Sequence, residues 1–151
     1  MAVNSRHFGG VTPADVFRVL SDGHSYGDWV LGTRKVRAVT GSWPAPGAQI
    51  HYTAGHLPLR KDDVTTSVAY EPGHRLQLEA RAWPVGSLHV ELQVLSSPTG
   101  CTVVIEEHPK TGPLKTLHNP LIDVAIKLRN VETLRRLEVQ VREAAAQREP
   151  V

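Results

Sequence analysis

From Gly32 to His108 the chain is interrupted by proline- and glycine-containing segments at near-regular intervals, and this spacing limits the folds open to it. The breaks fall at Trp43-Pro44-Ala45-Pro46-Gly47, around Leu57-Pro58-Leu59, at Glu71-Pro72-Gly73, at Trp83-Pro84-Val85-Gly86 and at Ser96-Ser97-Pro98-Thr99-Gly100. Proline cannot donate to a strand ladder and glycine weakens a strand interior, so both collect at turns. Runs of roughly a dozen residues between such turns are the rhythm of an antiparallel meander. Two of the runs alternate cleanly. Leu76, Leu78, Ala80 and Ala82 oppose Gln77, Glu79 and Arg81; Leu88, Val90, Leu92 and Val94 oppose His89, Glu91 and Gln93. Alternation of this kind places one face on a core and the other in water.

The flanking segments read as one strand and three helical stretches. Ala2 to Gly10 is expected to be a first strand. Thr12 caps a helix that has Pro13 at its first position and Asp15 where the helix dipole favours an anion. Val16, Phe17, Val19 and Leu20 form its apolar stripe, and Ser21-Asp22-Gly23 ends it. A second, short turn of helix is expected over Ser25 to Trp29. The last segment, capped by Asn119 and running from Pro120 to Ala146, carries Leu121, Val124, Leu128, Val131, Leu134, Leu137 and Val141 at three- and four-residue spacing, so this stripe is expected to face the sheet. Glu132 with Arg136 and Glu138 with Arg142 stand i,i+4 on the opposite side. Residues 1–146 are expected to form a single domain, with 147–151 a frayed tail.

Composition excludes more than it selects. A chain of 151 residues buries enough surface for one core without disulfides. No apolar run is long enough to span a bilayer, and Met1 to His7 lacks the basic-then-apolar pattern of a secretory signal, so a cytoplasmic location is expected. The single cysteine, Cys101, forbids an internal disulfide and a multi-cysteine metal site. A net charge of +2 is too small to indicate a nucleic-acid surface, although Arg34, Lys35 and Arg37 cluster on one strand. The eight histidines (His7, His24, His51, His56, His74, His89, His108 and His118) are scattered without metal-ligand spacing, and no metal or cofactor is expected. Neither a Gly-x-Ser-x-Gly elbow nor a glycine-rich phosphate loop is present, so any catalysis must be acid–base work by isolated polar groups.

The order is therefore β-α-α-β-β-β-β-β-β-α, an α+β chain. One amphipathic helix cannot cover both faces of seven strands, so the sheet must curl around it with its outer face wet. Local stretches carry a family likeness. They are Val16-Phe17-Arg18-Val19-Leu20-Ser21-Asp22, Tyr26-Gly27-Asp28-Trp29-Val30-Leu31-Gly32-Thr33, Trp43-Pro44-Ala45-Pro46-Gly47, Glu71-Pro72-Gly73-His74-Arg75-Leu76, Glu107-His108-Pro109, Leu117-His118-Asn119-Pro120-Leu121 and Arg129 to Leu137. In these the chain resembles the START-like or SRPBCC superfamily, specifically its polyketide cyclase/dehydrase group, over roughly Phe8 to Ala144. The resemblance implies a helix-grip fold: a curved seven-stranded antiparallel sheet around a long C-terminal helix, with a hydrophobic cavity between them. It also implies binding of a lipid- or polyketide-like molecule, or cyclisation or dehydration of one. It carries over no catalytic residue.

Strand parity then nominates the lining of that cavity. Ile50, Tyr52 and Ala54 form one inward set, with His51 and Thr53 outward; Val64, Thr66, Val68 and Tyr70 form a second. Val103, Ile105 and Glu107 form a third when matched to the family's pattern. The expected ligand-binding residues are Trp29, Ile50, Tyr52, Val68, Tyr70, Leu78, Trp83, Leu92, Ile105, Glu107 and Leu128, and the one catalytic candidate is Glu107. A carboxylate facing apolar walls is either neutralised by a cation such as Arg37 or Arg129, or has a raised pKa and becomes a proton donor. Three functions follow: a binding module for a small hydrophobic or amphipathic molecule, a cyclase or dehydratase using acid–base catalysis, or an interaction protein whose core is filled by its own side chains. Aromatic residues are only 5% of the chain, which offers few stacking partners and favours an aliphatic ligand.

Overall fold

The computed structural model describes residues 2–54, 61–82, 86–112 and 120–148. Trp83, the turn at Leu57-Pro58-Leu59 and the Asn119 cap lie outside them. Seven strands form one antiparallel sheet: β1 (Ala2–Gly9), β2 (Thr33–Thr40), β3 (Gln49–Ala54), β4 (Lys61–Glu71), β5 (Arg75–Ala82), β6 (Gly86–Ser97) and β7 (Gly100–Thr111). Their spatial order is β1-β7-β6-β5-β4-β3-β2. The six later strands thus run as a meander, and β1 joins its far edge beside β7. Between β1 and β2 the chain crosses the open side of the sheet through α1 (Pro13–Leu20), a 3-10 turn (Gly23–Ser25) and α2 (Tyr26–Trp29).

Local signals explain where these elements start and stop. Thr12 and Asp15 form a reciprocal capping box, Asp15 N–H donating to Thr12 Oγ1 at 3.2 Å and Thr12 N–H to Asp15 Oδ2 at 2.9 Å. Two orphan donors are satisfied, which stabilises the end by about 1 kcal/mol. Gly100 opens β7 at φ +152°, where a Cβ would run into the Phe8 carbonyl. Strand β1 can therefore pair closely with β7 at this end.

The long helix, α3 (Pro120–Arg148), lies across the concave face and runs two residues past the expected end at Ala146. Its buried face is not the expected one along the first half. Leu134, Leu137 and Val141 point inward, whereas Leu121, Val124, Leu128 and Val131 are all exposed, Leu121 by 80% and Leu128 by 67%. Asn130 and Thr133 are buried instead. The face that packs instead carries Arg129 and Thr133, whose polar groups find partners on β7 and on the Leu31 backbone just after α2.

Strands β3, β5 and β6 keep the expected faces: Ile50, Tyr52, Leu76, Leu78, Val90, Leu92 and Val94 are buried. Strand β4 reverses the expected phase. Asp63, Thr65 and Ser67 point inward, and Val68 is 44% exposed, with Val64 and Thr66 also on the outer side. A bulge between Ser67 and Ala69 then shifts the register against β5, returning Tyr70 to the core side, where its ring packs 6.1 Å from Phe17. An added residue in one strand flips every later side chain to the other face. The inward polar groups are satisfied: Ser67 Oγ donates to the Pro44 carbonyl at 2.6 Å.

On the convex side, β5 and β6 place Gln77 opposite Glu91 and Glu79 opposite His89. His89 also faces His108 of β7, with ring centroids 5.0 Å apart. Burial and the neighbouring His108 hold the His89 imidazole below its usual pKa.

Candidate functional site

Beneath α2 and α3 the sheet leaves a small enclosed cavity of about 30 Å³, room for no more than about two waters. Apolar side chains from three strands form its floor: Leu78 and Ala80 from β5, Leu88, Val90 and Leu92 from β6, and Ile105 from β7. Tyr26 and Trp29 of α2 close it on one side, Arg129 and Thr133 of α3 on another, and Glu107 supplies the one carboxyl. A larger cleft of about 310 Å³ adjoins it. The two share Tyr26, Val30, Ala80, Leu88 and Arg129. Beyond these the cleft is bounded by Leu31, Gly32 and Thr33, by Tyr52 and Ala54 of β3, and by Asp63 and Arg81.

Glu107 reaches this position by strand parity, in line with Cys101, Val103 and Ile105 on the inner face of β7, and is 3% exposed. Arg129 Nη1 donates to both of its oxygens, at 3.0 and 3.3 Å. Burial nevertheless pushes the Glu107 carboxyl above the usual carboxylate range, against the lowering effect of the Arg129 charge and hydrogen bond and of the Asn130 amide. Asn130 is 0% exposed. Neither of its amide atoms has a hydrogen-bond partner.

Arg129 is itself held by the loop between α2 and β2. Its Nε donates to the Leu31 carbonyl at 3.1 Å, while the Leu31 N–H donates to Thr133 Oγ1 at 3.3 Å. Two residues one helical turn apart on α3 therefore grip both polar groups of the Leu31 backbone, and the buried ends of that loop are satisfied without water.

A chain of hydroxyls runs from Tyr26, which borders both spaces, to Tyr52, which borders the cleft. Tyr26 Oη lies 3.0 Å from Thr65 Oγ1, Thr65 donates to Tyr52 Oη at 3.5 Å, and Tyr52 donates to the Arg81 carbonyl at 3.3 Å. Since the one Thr65 proton goes to Tyr52, Tyr26 is the donor in the first link. Burial raises the pKa of both phenols, so neither serves as a base near neutrality.

Of the residues nominated from sequence, Trp29, Leu78, Leu92, Ile105 and Glu107 meet at the cavity and Tyr52 at the cleft. Ile50 and Tyr70 belong to the surrounding core and line neither space. Val68 and Leu128 are corrected: both face away, for the reasons of β4 phase and α3 rotation given above. Leu88 also lines both spaces, on the face expected for the set containing Leu92, whereas Tyr26, Val30, Thr133, Asp63 and Arg81 were not nominated. The i,i+3 spacing of Tyr26 and Trp29 was the available signal for α2; Asp63 gave none, being a charged residue at an inward position. Arg37, the other cation considered for Glu107, lies near Asp62 at 3.5 Å. No group of three or more potential metal ligands occurs among the described residues.

The comparisons with known proteins agree with this architecture. The family described as polyketide cyclase / dehydrase and lipid transport matches residues 2–142. No curated protein matches the sequence. Among solved structures, a Rhodobacter sphaeroides protein is similar with a TM-score of 0.71 and 20% identity, covering 93% of this chain and 91% of that one. Protein CV1439 from Chromobacterium violaceum is similar with a TM-score of 0.69 and 15% identity, covering 92% and 95%. A Mesorhizobium loti protein, MLL2253, is similar with a TM-score of 0.68 and 16% identity, covering 99% and 98%. At these identities the likeness is one of fold.

Proposed function

Because the chain belongs to the polyketide cyclase / dehydrase and lipid transport family, we propose that it binds a small hydrophobic or amphipathic molecule between the sheet and α3. The observation that carries this reading is the cleft of about 310 Å³ with largely apolar walls, which shares Arg129 with the adjoining cavity where Glu107 lies. Concave, mainly apolar pockets with a few convergent polar groups are the usual form of small-molecule sites. The volume supports a ligand of about fifteen non-hydrogen atoms at interior packing density, a short amphiphile in place of a two-chain lipid. No helix among the described residues is long and apolar enough to cross a membrane; we read the protein as a cytoplasmic single-domain carrier or sensor.

Native mass spectrometry of the purified protein, before and after incubation with C8 to C12 alcohols, ketones and acids, tests this. A bound mass of one ligand per chain is expected. Retention of none, together with failure to enhance the fluorescence of an apolar dye, would favour a core filled by its own side chains.

A second reading, acid–base catalysis of the cyclase or dehydratase kind, is favoured by one observation: a buried carboxyl with a raised pKa at the cavity wall. Turnover of a β-hydroxyketone that disappears in Glu107→Gln, with binding retained, would support it.

A further inference from the structure

The polar groups around the cleft select among ligands, an inference that rests on the binding function proposed above. Arg129 has five N–H donors. Nε is taken by the Leu31 carbonyl and one Nη1 group by Glu107, whereas Nη2 has no hydrogen-bond partner among the described residues. The residue borders both the cavity and the cleft, and its guanidinium is held from two sides, so its orientation is fixed at little further entropic cost to a ligand that accepts from it. The phenols offer no competing donor. Tyr52 gives its proton to the Arg81 carbonyl, Thr65 to Tyr52, and hence Tyr26 to Thr65.

Charge decides what that donor takes. Glu107 is paired with Arg129, and Asp63, 6% exposed, is paired with Arg81 through Nε at 3.3 Å. With Glu107 ionised, the two anions and two cations cancel. A ligand carboxylate at Arg129 would add a negative charge, with no further cation to balance it, next to the buried Glu107; a phosphate would add more. An uncharged carbonyl oxygen accepts the same hydrogen bond without changing the balance.

We propose that the cleft is a site for a neutral carbonyl compound, an aliphatic ketone or ester, whose oxygen accepts from Arg129 Nη2 while its chain lies along Val30, Ala80 and Leu88, and that the site discriminates against the corresponding acid. Arg129 is in this reading a specificity-determining residue.

Binding of 2-undecanone, methyl decanoate, decanoate and undecane, measured by displacement of a fluorescent apolar probe, tests the proposal. The ketone and ester are expected to bind about tenfold more tightly than either decanoate or undecane. Arg129→Lys, which keeps the charge and shortens the reach, is expected to remove most of the advantage of the ketone while leaving undecane within about twofold. Decanoate binding as tightly as the ketone would overturn the proposal, as would equal loss of ketone and undecane in the variant. Equal binding of all four compounds would overturn it and leave the pocket standing, whereas binding of none would remove both. If Arg129→Lys fails to fold, the ratios in the unsubstituted protein still decide.

Discussion

Arg129 on the last helix and Glu107 on the last strand meet at 3.0 Å in the wall of the buried cavity, the carboxylate 4% exposed at its side chain and the guanidinium 34%. The asymmetry in burial makes the two partners unequal. Removing the arginine strands a buried carboxylate, whereas removing the acid leaves a guanidinium that still reaches the Leu31 carbonyl. Arg129→Met is therefore expected to cost about 1–3 kcal/mol, below the usual figure for a fully buried pair because the arginine is partly solvated. Glu107→Gln keeps an acceptor for Nη1 and should cost less than about 1 kcal/mol. A double-mutant cycle by urea unfolding checks this; a larger loss in Glu107→Gln than in Arg129→Met would reverse the assignment.

The direction of the Glu107 shift gives a pH dependence with a definite sign. The folded state holds this proton more tightly than the unfolded chain, whose carboxyl titrates near 4.5. The contribution is fully present below that value and is lost as pH rises through the folded pKa above it. The stability of the natural chain relative to Glu107→Gln should fall between pH 4.5 and the folded pKa and level off beyond it. Unfolding midpoints of the two proteins across this range supply the measurement; a difference that grows in favour of the natural chain with rising pH would show the opposite shift.

Burial along α3 separates two leucines that look alike in sequence. Leu134 is fully enclosed and Leu128 stands in solvent. Leu134→Ala is expected to cost about 2–5 kcal/mol, and Leu128→Ala no more than about 0.5 kcal/mol. Thermal or denaturant unfolding distinguishes them, and comparable losses at both sites would mean that the outer stripe is covered.

In β4 the test is a buried serine beside an exposed valine. Ser67→Ala removes the donor to the Pro44 carbonyl and should cost about 1–3 kcal/mol by leaving that acceptor unpaired. Val68→Thr, on the outer face, should be nearly neutral. The reverse ranking in an unfolding assay would restore the unshifted strand phase.

The element order and much of the sheet were determined by sequence alone. Thr12 and Asp15 mark their helix start because capping is a local exchange of hydrogen bonds. Leu76 to Ala80 and Val90 to Val94 declare their faces because these strands are uninterrupted there and one side is wet. Glu107 was legible for the same reason, as a continuation of Val103 and Ile105. Tertiary structure decided the remainder. Period-counting locates apolar residues, and the first half of α3 has them on the side that proved to be solvent. The side that packs carries Arg129, Asn130 and Thr133, and two of these are accommodated by Glu107 and Leu31, about twenty and a hundred residues away in the chain. The phase of β4 likewise depends on a bulge against β5 and on the Pro44 carbonyl across the sheet edge. Burying a polar group is tolerable only where a partner waits, and for these residues the partner is brought near by folding alone.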